Sequence, residues 1–192
     1  LYKIRITCNE DATATDLSRY FRVGTTLQYY VNDSSLDNDK FCTAVGNTLN
    51  DGFSPDTPKE SVKDVVDTYD LEPGDIINVD TGTYVLTGNV TIGIADQGAS
   101  GNSVKFVGAT EPDGTLLATL DRNAASSSSS RVFDVSGNYV RFENLKITRA
   151  YYGVSLTGTG SSVEGCEIYG CGYYGISMTG ASGTVNDCEV YS

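Results

Sequence analysis

The sequence predicts an all-β fold in which the chain winds into a solenoid of stacked parallel strands, a parallel β-helix. Three observations lead to this prediction. Similar segments recur at steps of 21 and 22 residues towards the C-terminal end of the chain. Apolar and polar residues alternate within each segment, as in a half-buried strand. Glycine, asparagine, serine and threonine interrupt the segments every few residues, so the chain turns repeatedly and leaves no room for a helical pattern.

Residues 1–24 are expected to belong to a different module. The segment LYKIRIT alternates apolar and polar residues, and RYFRV supplies a second short strand. The pair resembles the last two strands of an immunoglobulin-like (Ig-like) sandwich, and two strands do not make a stable sandwich on their own. We therefore expect these residues to be the C-terminal end of an incomplete Ig-like module, within a longer polypeptide.

An acidic lead-in loop is predicted for residues 25–57. Its carboxylate and amide side chains are the oxygen donors that Ca²⁺ prefers, and this ion takes about six to eight oxygen ligands. The loop lacks the residue order of an EF-hand, and Asp and Asn are also ordinary turn formers. Calcium binding and a purely structural role in turns therefore both stay open. The candidate calcium ligands are Asp33, Asp37, Asp39, Asn50, Asp51 and Asp56.

One amphipathic helix is predicted at about residues 58–69. Thr57 is the expected N-cap and Pro58 the expected first helical position. Apolar residues follow at the i, i+3, i+4, i+7 spacing of a single helix face. They are Val62, Val65, Val66 and Tyr69. We expect this helix to cap the solenoid by covering the open edge and the apolar interior of the first coil.

The repeats predict which side chains lie inside the solenoid. Each coil should hydrogen-bond to the next at the ordinary strand spacing of ~4.8 Å, so equivalent residues stack as ladders. One coil cannot bury its apolar face alone, so neighbouring coils share the stability. The predicted inward ladders are Phe142, Val163 and Val185; Leu145, Cys166 and Cys188; and Ile147, Ile168 and Val190; the predicted outward ladder is Lys146, Glu167 and Glu189.

Residues 71–109 resemble the opening of right-handed parallel β-helix proteins of the pectate lyase-like superfamily. The resemblance rests on the start PGD-x-I-x-V-x-x-G-x-Y and on the turn DQGASGN before a strand that ends in Gly-Ala. Residues 29–62 are similar to the segment that leads into such domains in secreted bacterial proteins. The resemblance implies that residues 58–192 hold a capping helix and the first coils of a right-handed β-helix, truncated at the C-terminus.

The resemblance leaves the activity open, because the same opening precedes polysaccharide lyases, epimerases and surface proteins. In lyases of this fold, a Lys or Arg removes the proton alpha to a uronate carboxyl group while Ca²⁺ neutralises the carboxylate. No residue of this chain can be matched to those motifs, so the catalytic residues stay unknown. The basic residues predicted on the outer face are Arg131, Arg141, Lys146 and Arg149, with Glu143 and Glu164 nearby.

Composition limits the partners. The formal net charge is −12, from 25 acidic and 13 basic residues with no histidine, which opposes binding to nucleic acid or to anionic membranes. No apolar run approaches the ~18 residues that span a bilayer. Without histidine or a C-x-x-C pair, a zinc site is not expected. The polar, tyrosine-rich composition suits an extracellular or cell-surface solenoid.

Tyrosines recur at repeat spacing and are candidates for stacking on sugar rings. The alternative is that one ring of each Tyr-Tyr pair points inward, fills a corner and bonds through its hydroxyl. The candidates are Tyr151, Tyr152, Tyr169, Tyr173, Tyr174 and Tyr191.

Two of the five cysteines are ladder neighbours. Cys166 and Cys188 should lie ~4.8 Å apart along the backbone, within the range that a disulfide tolerates. Because both take the inward position of Leu145, buried thiols are the favoured prediction.

Three functions follow as alternatives. The favoured one is a glycan-binding or structural module of a secreted multidomain surface protein, because net acidity opposes a polyanionic substrate unless calcium intervenes. The second is the N-terminal part of a Ca²⁺-dependent polysaccharide lyase or epimerase that acts on uronate polymers. The third is a self-associating, fibre-forming assembly unit.

Overall fold

The computed structural model describes residues 26–192, and within this range the chain forms parallel strands, one α-helix and one short 3-10 helix (Ile94–Asp96). The two strands predicted for residues 1–24, and the Ig-like module to which they would belong, lie outside the described residues. In chain order the elements are β1 (Gln28–Val31), α1 (Val62–Thr68), β2 (Ile76–Val79), β3 (Gly82–Val85), β4 (Val90–Ile92), β5 (Val104–Gly108), β6 (Ala118–Asp121), β7 (Arg131–Val135), β8 (Val140–Glu143), β9 (Lys146–Thr148), β10 (Tyr152–Leu156), β11 (Ser162–Glu164), β12 (Glu167–Tyr169), β13 (Tyr174–Met178), β14 (Thr184–Asn186) and β15 (Glu189–Tyr191).

Three parallel sheets run along the solenoid, and successive coils add a strand to each of them. The first sheet has the order β1-β2-β5-β8-β11-β14, the second has β3-β6-β9-β12-β15, and the third has β4-β7-β10-β13. All the strand pairs are parallel. The predicted parallel β-helix is therefore confirmed.

The predicted register is confirmed residue by residue. Val163 pairs with Phe142 on one side and with Val185 on the other. Ile168 lies in the same way between Ile147 and Val190. The inward members of the earlier coils are fully buried, whereas Val185 and Val190 are 44% and 52% exposed, because no described residue packs over the last coil.

The tight corner between the first and second sheets is built by one residue with left-handed backbone. Asn144, Gly165 and Asp187 occupy this corner in successive coils, with φ of 57°, 59° and 49°. Glycine adopts such values without strain, and Asn and Asp are the side chains that tolerate them best. The next residue in each coil is Leu145, Cys166 or Cys188, and its side chain faces the interior of the solenoid. The corner residue therefore fixes the direction in which the following side chain points.

Helix α1 begins later than predicted, with Ser61 rather than Thr57 as the N-cap. Residues 57–60 cannot be helical because Lys59 continues the pairing with β1, donating its N–H to the Tyr30 carbonyl over 2.9 Å. The Thr57 hydroxyl donates to Asp51 instead, over 2.7 Å. Long-range pairing with β1 therefore overrides the local N-cap and proline signals.

The apolar face of the helix is confirmed, since Val62, Val65, Val66 and Tyr69 are all buried. The helix contacts β4, and its role as a cap over the first coil stays a prediction. Strand β1 pairs with β2, so the first sheet extends one strand beyond its predicted start and into the segment 25–57. No helix of the described residues is long and apolar enough to cross a lipid bilayer.

Candidate functional site

Four tyrosines meet at the corner where the chain passes from the second sheet to the third. Tyr151 and Tyr173 lie in the turns, and Tyr152 and Tyr174 begin β10 and β13. Tyr152 and Tyr174 are register partners, and the Tyr173 N–H donates to the Tyr151 carbonyl over 2.9 Å. The repeated sequence Tyr-Tyr-Gly thus places two pairs of rings over each other. We call these four side chains the tyrosine patch.

The rings of the tyrosine patch contact one another and face solvent. Tyr151 and Tyr173 are stacked, with centroids 5.2 Å apart and planes 13° apart. The Tyr173 and Tyr174 centroids are 4.1 Å apart, and these two side chains are 55% and 49% exposed. A hydrogen bond to the Tyr173 hydroxyl raises the pKa of Tyr174. Tyr151 and Tyr152 are half-buried, and Tyr173 and Tyr174 are exposed. Sugar stacking and the alternative in which one ring of each pair fills the corner both stay predictions.

Arg131 extends the tyrosine patch onto the preceding coil. It is the register partner of Tyr152, and its guanidinium carbon lies 4.8 Å from the centroid of that ring, in cation–π geometry. The guanidinium also donates to the Ser129 carbonyl over 3.1 Å and lies 3.5 Å from the Asp134 carboxylate. A cationic hydrogen-bond donor therefore adjoins the aromatic surface.

The arrangement combines two kinds of contact. Tyrosine rings offer apolar faces together with hydroxyl groups that donate and accept hydrogen bonds. Arginine offers several N–H donors in a fixed plane. A sugar has apolar C–H faces, which can stack on the tyrosine rings. It also has many hydroxyl groups, which can form hydrogen bonds with the tyrosine hydroxyls and the guanidinium.

The other two predicted tyrosines form a separate stack on the second sheet. Tyr169 and Tyr191 are register partners whose centroids are 5.5 Å apart, with planes 11° apart. The Tyr191 hydroxyl donates to Glu167, and this hydrogen bond raises the pKa of Tyr191 to about 12. No ring contact among the described residues joins this stack to the tyrosine patch.

Two of the predicted calcium ligands, Asn50 and Asp51, form hydrogen bonds with nearby residues of the same segment. Asp51 accepts hydrogen bonds from the Phe53 N–H over 3.1 Å and from the Thr57 hydroxyl over 2.7 Å. The Asn50 amide donates to the Pro58 carbonyl over 2.9 Å. These contacts are those of turn-forming side chains.

Three of the remaining candidates, Asp33, Asp37 and Asp39, lie near one another, since the charges of Asp33 and Asp37 act on Asp39. Asp39 accepts a hydrogen bond from the Asn32 amide over 2.7 Å, and burial raises the pKa of Asp39. Asp33 accepts from a backbone N–H two residues on, and Asp37 and Asp56 are exposed. Within residues 26–192, no three Asp, Glu, Cys or His side chains are grouped so as to hold a metal ion. Calcium binding by this loop stays a prediction.

The residue that organises the loop is Asp80, which the sequence analysis missed. Its carboxylate is fully buried and accepts four backbone hydrogen bonds, from the neighbouring Thr81 (2.7 Å) and from Lys40 (2.7 Å), Phe41 (2.8 Å) and Cys42 (2.5 Å). An acidic residue directly after an apolar strand is a usable signal, because a carboxylate drawn into the interior must find donors. The sequence did not reveal that three of those donors lie 38 to 40 residues earlier.

The basic residues predicted on the outer face all have acidic partners. Arg141 contacts both Glu143 and Glu164. The other pairs are Arg131 with Asp134, Lys146 with Glu167 and Arg149 with Asp121. The hydrogen bond to Asp121 raises the pKa of Arg149. These residues therefore form ion pairs along the solenoid, and none of the four stands as an unpaired base.

Comparison with known proteins supports the same fold. A family profile described as a right-handed β-helix region matches residues 132–192. No curated protein matches the chain significantly. Among solved structures, pectate lyase Pel9A is similar at 19% identity with a TM-score of 0.58, over 85% of this chain and 48% of the lyase. A rhamnogalacturonan lyase is similar at 13% identity with a TM-score of 0.51, over 85% of this chain and 51% of that one.

The chain thus spans about half the length of each of these two lyases. At such identities the likeness concerns the fold and not the activity. With its three parallel sheets, the chain has the fold of a right-handed parallel β-helix.

Proposed function

We propose that the tyrosine patch binds a glycan and that this β-helix is a glycan-binding module of an extracellular or cell-surface protein. The observation that carries the proposal is the convergence of four tyrosine rings, two of them about half exposed, beside the guanidinium of Arg131. An exposed apolar surface with a polar rim is typical of an interaction site.

The rings are held in place before any ligand arrives. Tyr152 and Tyr174 stand on paired strands, and Tyr151 and Tyr173 stack on each other. Binding to rings that are already ordered costs less conformational entropy than binding to mobile side chains. A rigid platform of this kind suits an extended chain of sugars that lies along successive coils.

Charge favours neutral glycans over polyuronates as ligands. The net charge is −12, and the cationic side chains of the outer face are paired with carboxylates. The net negative charge of the protein would repel a polyanion before the two molecules come into contact. Added Ca²⁺ would weaken this repulsion, so acidic polysaccharides belong in the binding test both with and without Ca²⁺.

Binding is tested by titrating a panel of neutral and acidic polysaccharides by calorimetry or affinity electrophoresis. Tyr173→Ala and Tyr174→Ala should each lower the affinity for the ligand found about fivefold or more, because truncating a central aromatic contact costs over ~1 kcal/mol. Tyr30→Ala is the matched control, since Tyr30 lies in β1 at the far end of the first sheet. Binding that is unchanged in both patch variants, or lost equally in the control, would contradict the proposal.

Cleavage of a uronate polymer is the second candidate, because both similar solved structures are polysaccharide lyases. A lyase would leave an unsaturated uronate at the new chain end. The assay is the ultraviolet absorbance of that product from alginate, pectate and chondroitin in the presence of Ca²⁺. A steady rise in absorbance would favour cleavage, and tight binding without any rise would favour the module.

A further inference from the structure

Cys166 and Cys188 occupy the same position in two successive coils. Their flanking residues Glu167 and Glu189 are register partners, and the Glu189 N–H donates to the Cys166 carbonyl over 2.9 Å. Cys166 is 2% exposed, and Cys188 is half-buried against the core. The Cys166 thiol donates to the Glu164 carbonyl over 3.4 Å and the Cys188 thiol to the Asn186 carbonyl over 3.1 Å, and the two thiols lie close enough to alter each other's pKa. The fold therefore brings two thiols into contact across a coil boundary.

The backbone spacing suits a covalent bond between them. Adjacent strands lie ~4.8 Å apart, and disulfides join residues whose Cα atoms are about 4.4–6.8 Å apart. Both side chains follow a left-handed corner residue and point inward. Both are free thiols in the structure, as the sequence analysis favoured. We propose that, on oxidation, Cys166 and Cys188 form a disulfide that covalently joins the last two described coils. This inference does not rest on the proposed glycan site.

The two thiols differ in reactivity. The contact with the Cys166 thiol lowers the pKa of Cys188 to about 6, and the same contact raises the pKa of Cys166. A thiolate, not a thiol, attacks a disulfide. At neutral pH, Cys188 is therefore the attacking group, and its partial exposure lets a small oxidant reach it.

A small disulfide such as glutathione disulfide completes the reaction. The Cys188 thiolate attacks one sulfur of the oxidant, which breaks its S–S bond and releases one glutathione thiolate. That thiolate takes up the Cys166 proton. The Cys166 sulfur then attacks the Cys188 sulfur of the mixed disulfide and releases the second glutathione. Two protein thiols are oxidised by two electrons, and the glutathione disulfide is reduced to two thiols.

Peptide mapping tests the bond directly. The protein is incubated with glutathione disulfide, its free thiols are blocked with N-ethylmaleimide, and it is cleaved after glutamate under denaturing conditions. Cleavage after Glu164, Glu167 and Glu189 separates residues 165–167 from residues 168–189. We expect these two peptides to remain linked until a reductant separates them. The Cys171→Ser variant is run alongside the natural chain, because Cys171 lies in the second peptide and must not be the partner.

A thermal measurement provides the second readout. A disulfide that closes the loop between Cys166 and Cys188 should raise Tm by about 5–10 °C, since it restricts the unfolded chain. Cys188→Ser is the control, in which oxidant should leave Tm unchanged. Recovery of maleimide on both Cys166 and Cys188, a lasting glutathione adduct on Cys188, or a link from Cys166 to another cysteine would each overturn the proposal.

Discussion

Replacing Ile168 by aspartate tests the division of side chains between the inside and the outside of the solenoid. Ile168 is fully buried in β12, between Ile147 in the preceding coil and Val190 in the next. A carboxylate at this position would have apolar neighbours on both sides along its ladder. We expect Ile168→Asp to abolish cooperative folding.

The loss of stability expected for Ile168→Asp has two contributions. Truncating a buried isoleucine costs about 2–5 kcal/mol. Burying a polar group without a hydrogen-bond partner adds about 2–7 kcal/mol. The total is comparable with the whole stability of a typical domain, about 5–15 kcal/mol. Ile168→Val, which removes a single methyl group, should cost only about 0.5–1.5 kcal/mol.

The neighbouring residue supplies a matched control. Glu167 points outward, lies 3.6 Å from the Lys146 ammonium and accepts a hydrogen bond from Tyr191. A partly exposed ion pair contributes about 0–1 kcal/mol. In Glu167→Lys the new ammonium would also face Glu189 on the following coil. We therefore expect that variant to fold and to lose about 1 kcal/mol.

Urea denaturation followed by far-ultraviolet circular dichroism measures all three variants. The expected order of stability is natural chain, then Glu167→Lys and Ile168→Val, with no unfolding transition for Ile168→Asp. Equal and mild effects from Ile168→Asp and Glu167→Lys would refute the inside-outside assignment, and with it the stacking register.

Three further predictions concern other parts of the chain. Asp80→Ala should lower stability by about 2–4 kcal/mol and make residues 32–46 sensitive to proteases, because four backbone N–H groups, three of them in that segment, lose their acceptor; an unchanged Tm would remove that role. Alkylation of Cys188 by iodoacetamide should speed up as the pH rises through about 6, where its thiolate forms, and a midpoint near the ordinary ~8.5 would contradict this. If the acidic loop binds Ca²⁺, adding the ion should raise Tm and a chelator should reverse the rise, since a ligand that binds only the folded state stabilises it; superimposable melting curves would exclude that site.

The repeat alone was enough to predict the C-terminal coils. Between Phe142 and Val190 the sequence steps are nearly constant, so a single alignment fixes the pairing of every strand, and the structure reproduces it. The earlier coils lack a constant step. Ile77 pairs with Phe106 and Phe106 with Phe142, with loops of different lengths in between. Such loops break the periodicity from which register is read.

The candidate site was only partly predictable. The tyrosines could be named from their repeat, but not the direction in which each ring points. The 21-residue step pairs Arg131 with Tyr152, but it does not show that the guanidinium lies over the Tyr152 ring, because that contact depends on the conformation of both side chains. Asp80 was missed because three of its four backbone donors come from a segment 38 to 40 residues away.

The sequence by itself therefore determined the coil, its inward ladders and the apolar face of helix α1, because these features repeat at fixed spacing or depend on near neighbours. Only the tertiary structure decided where the helix begins, how the acidic loop folds around Asp80, and that the tyrosine patch opens to solvent beside Arg131. Each of these depends on pairing between segments far apart in the chain. Such pairing can override a local signal, as it does when Lys59 joins β1 in place of the helix.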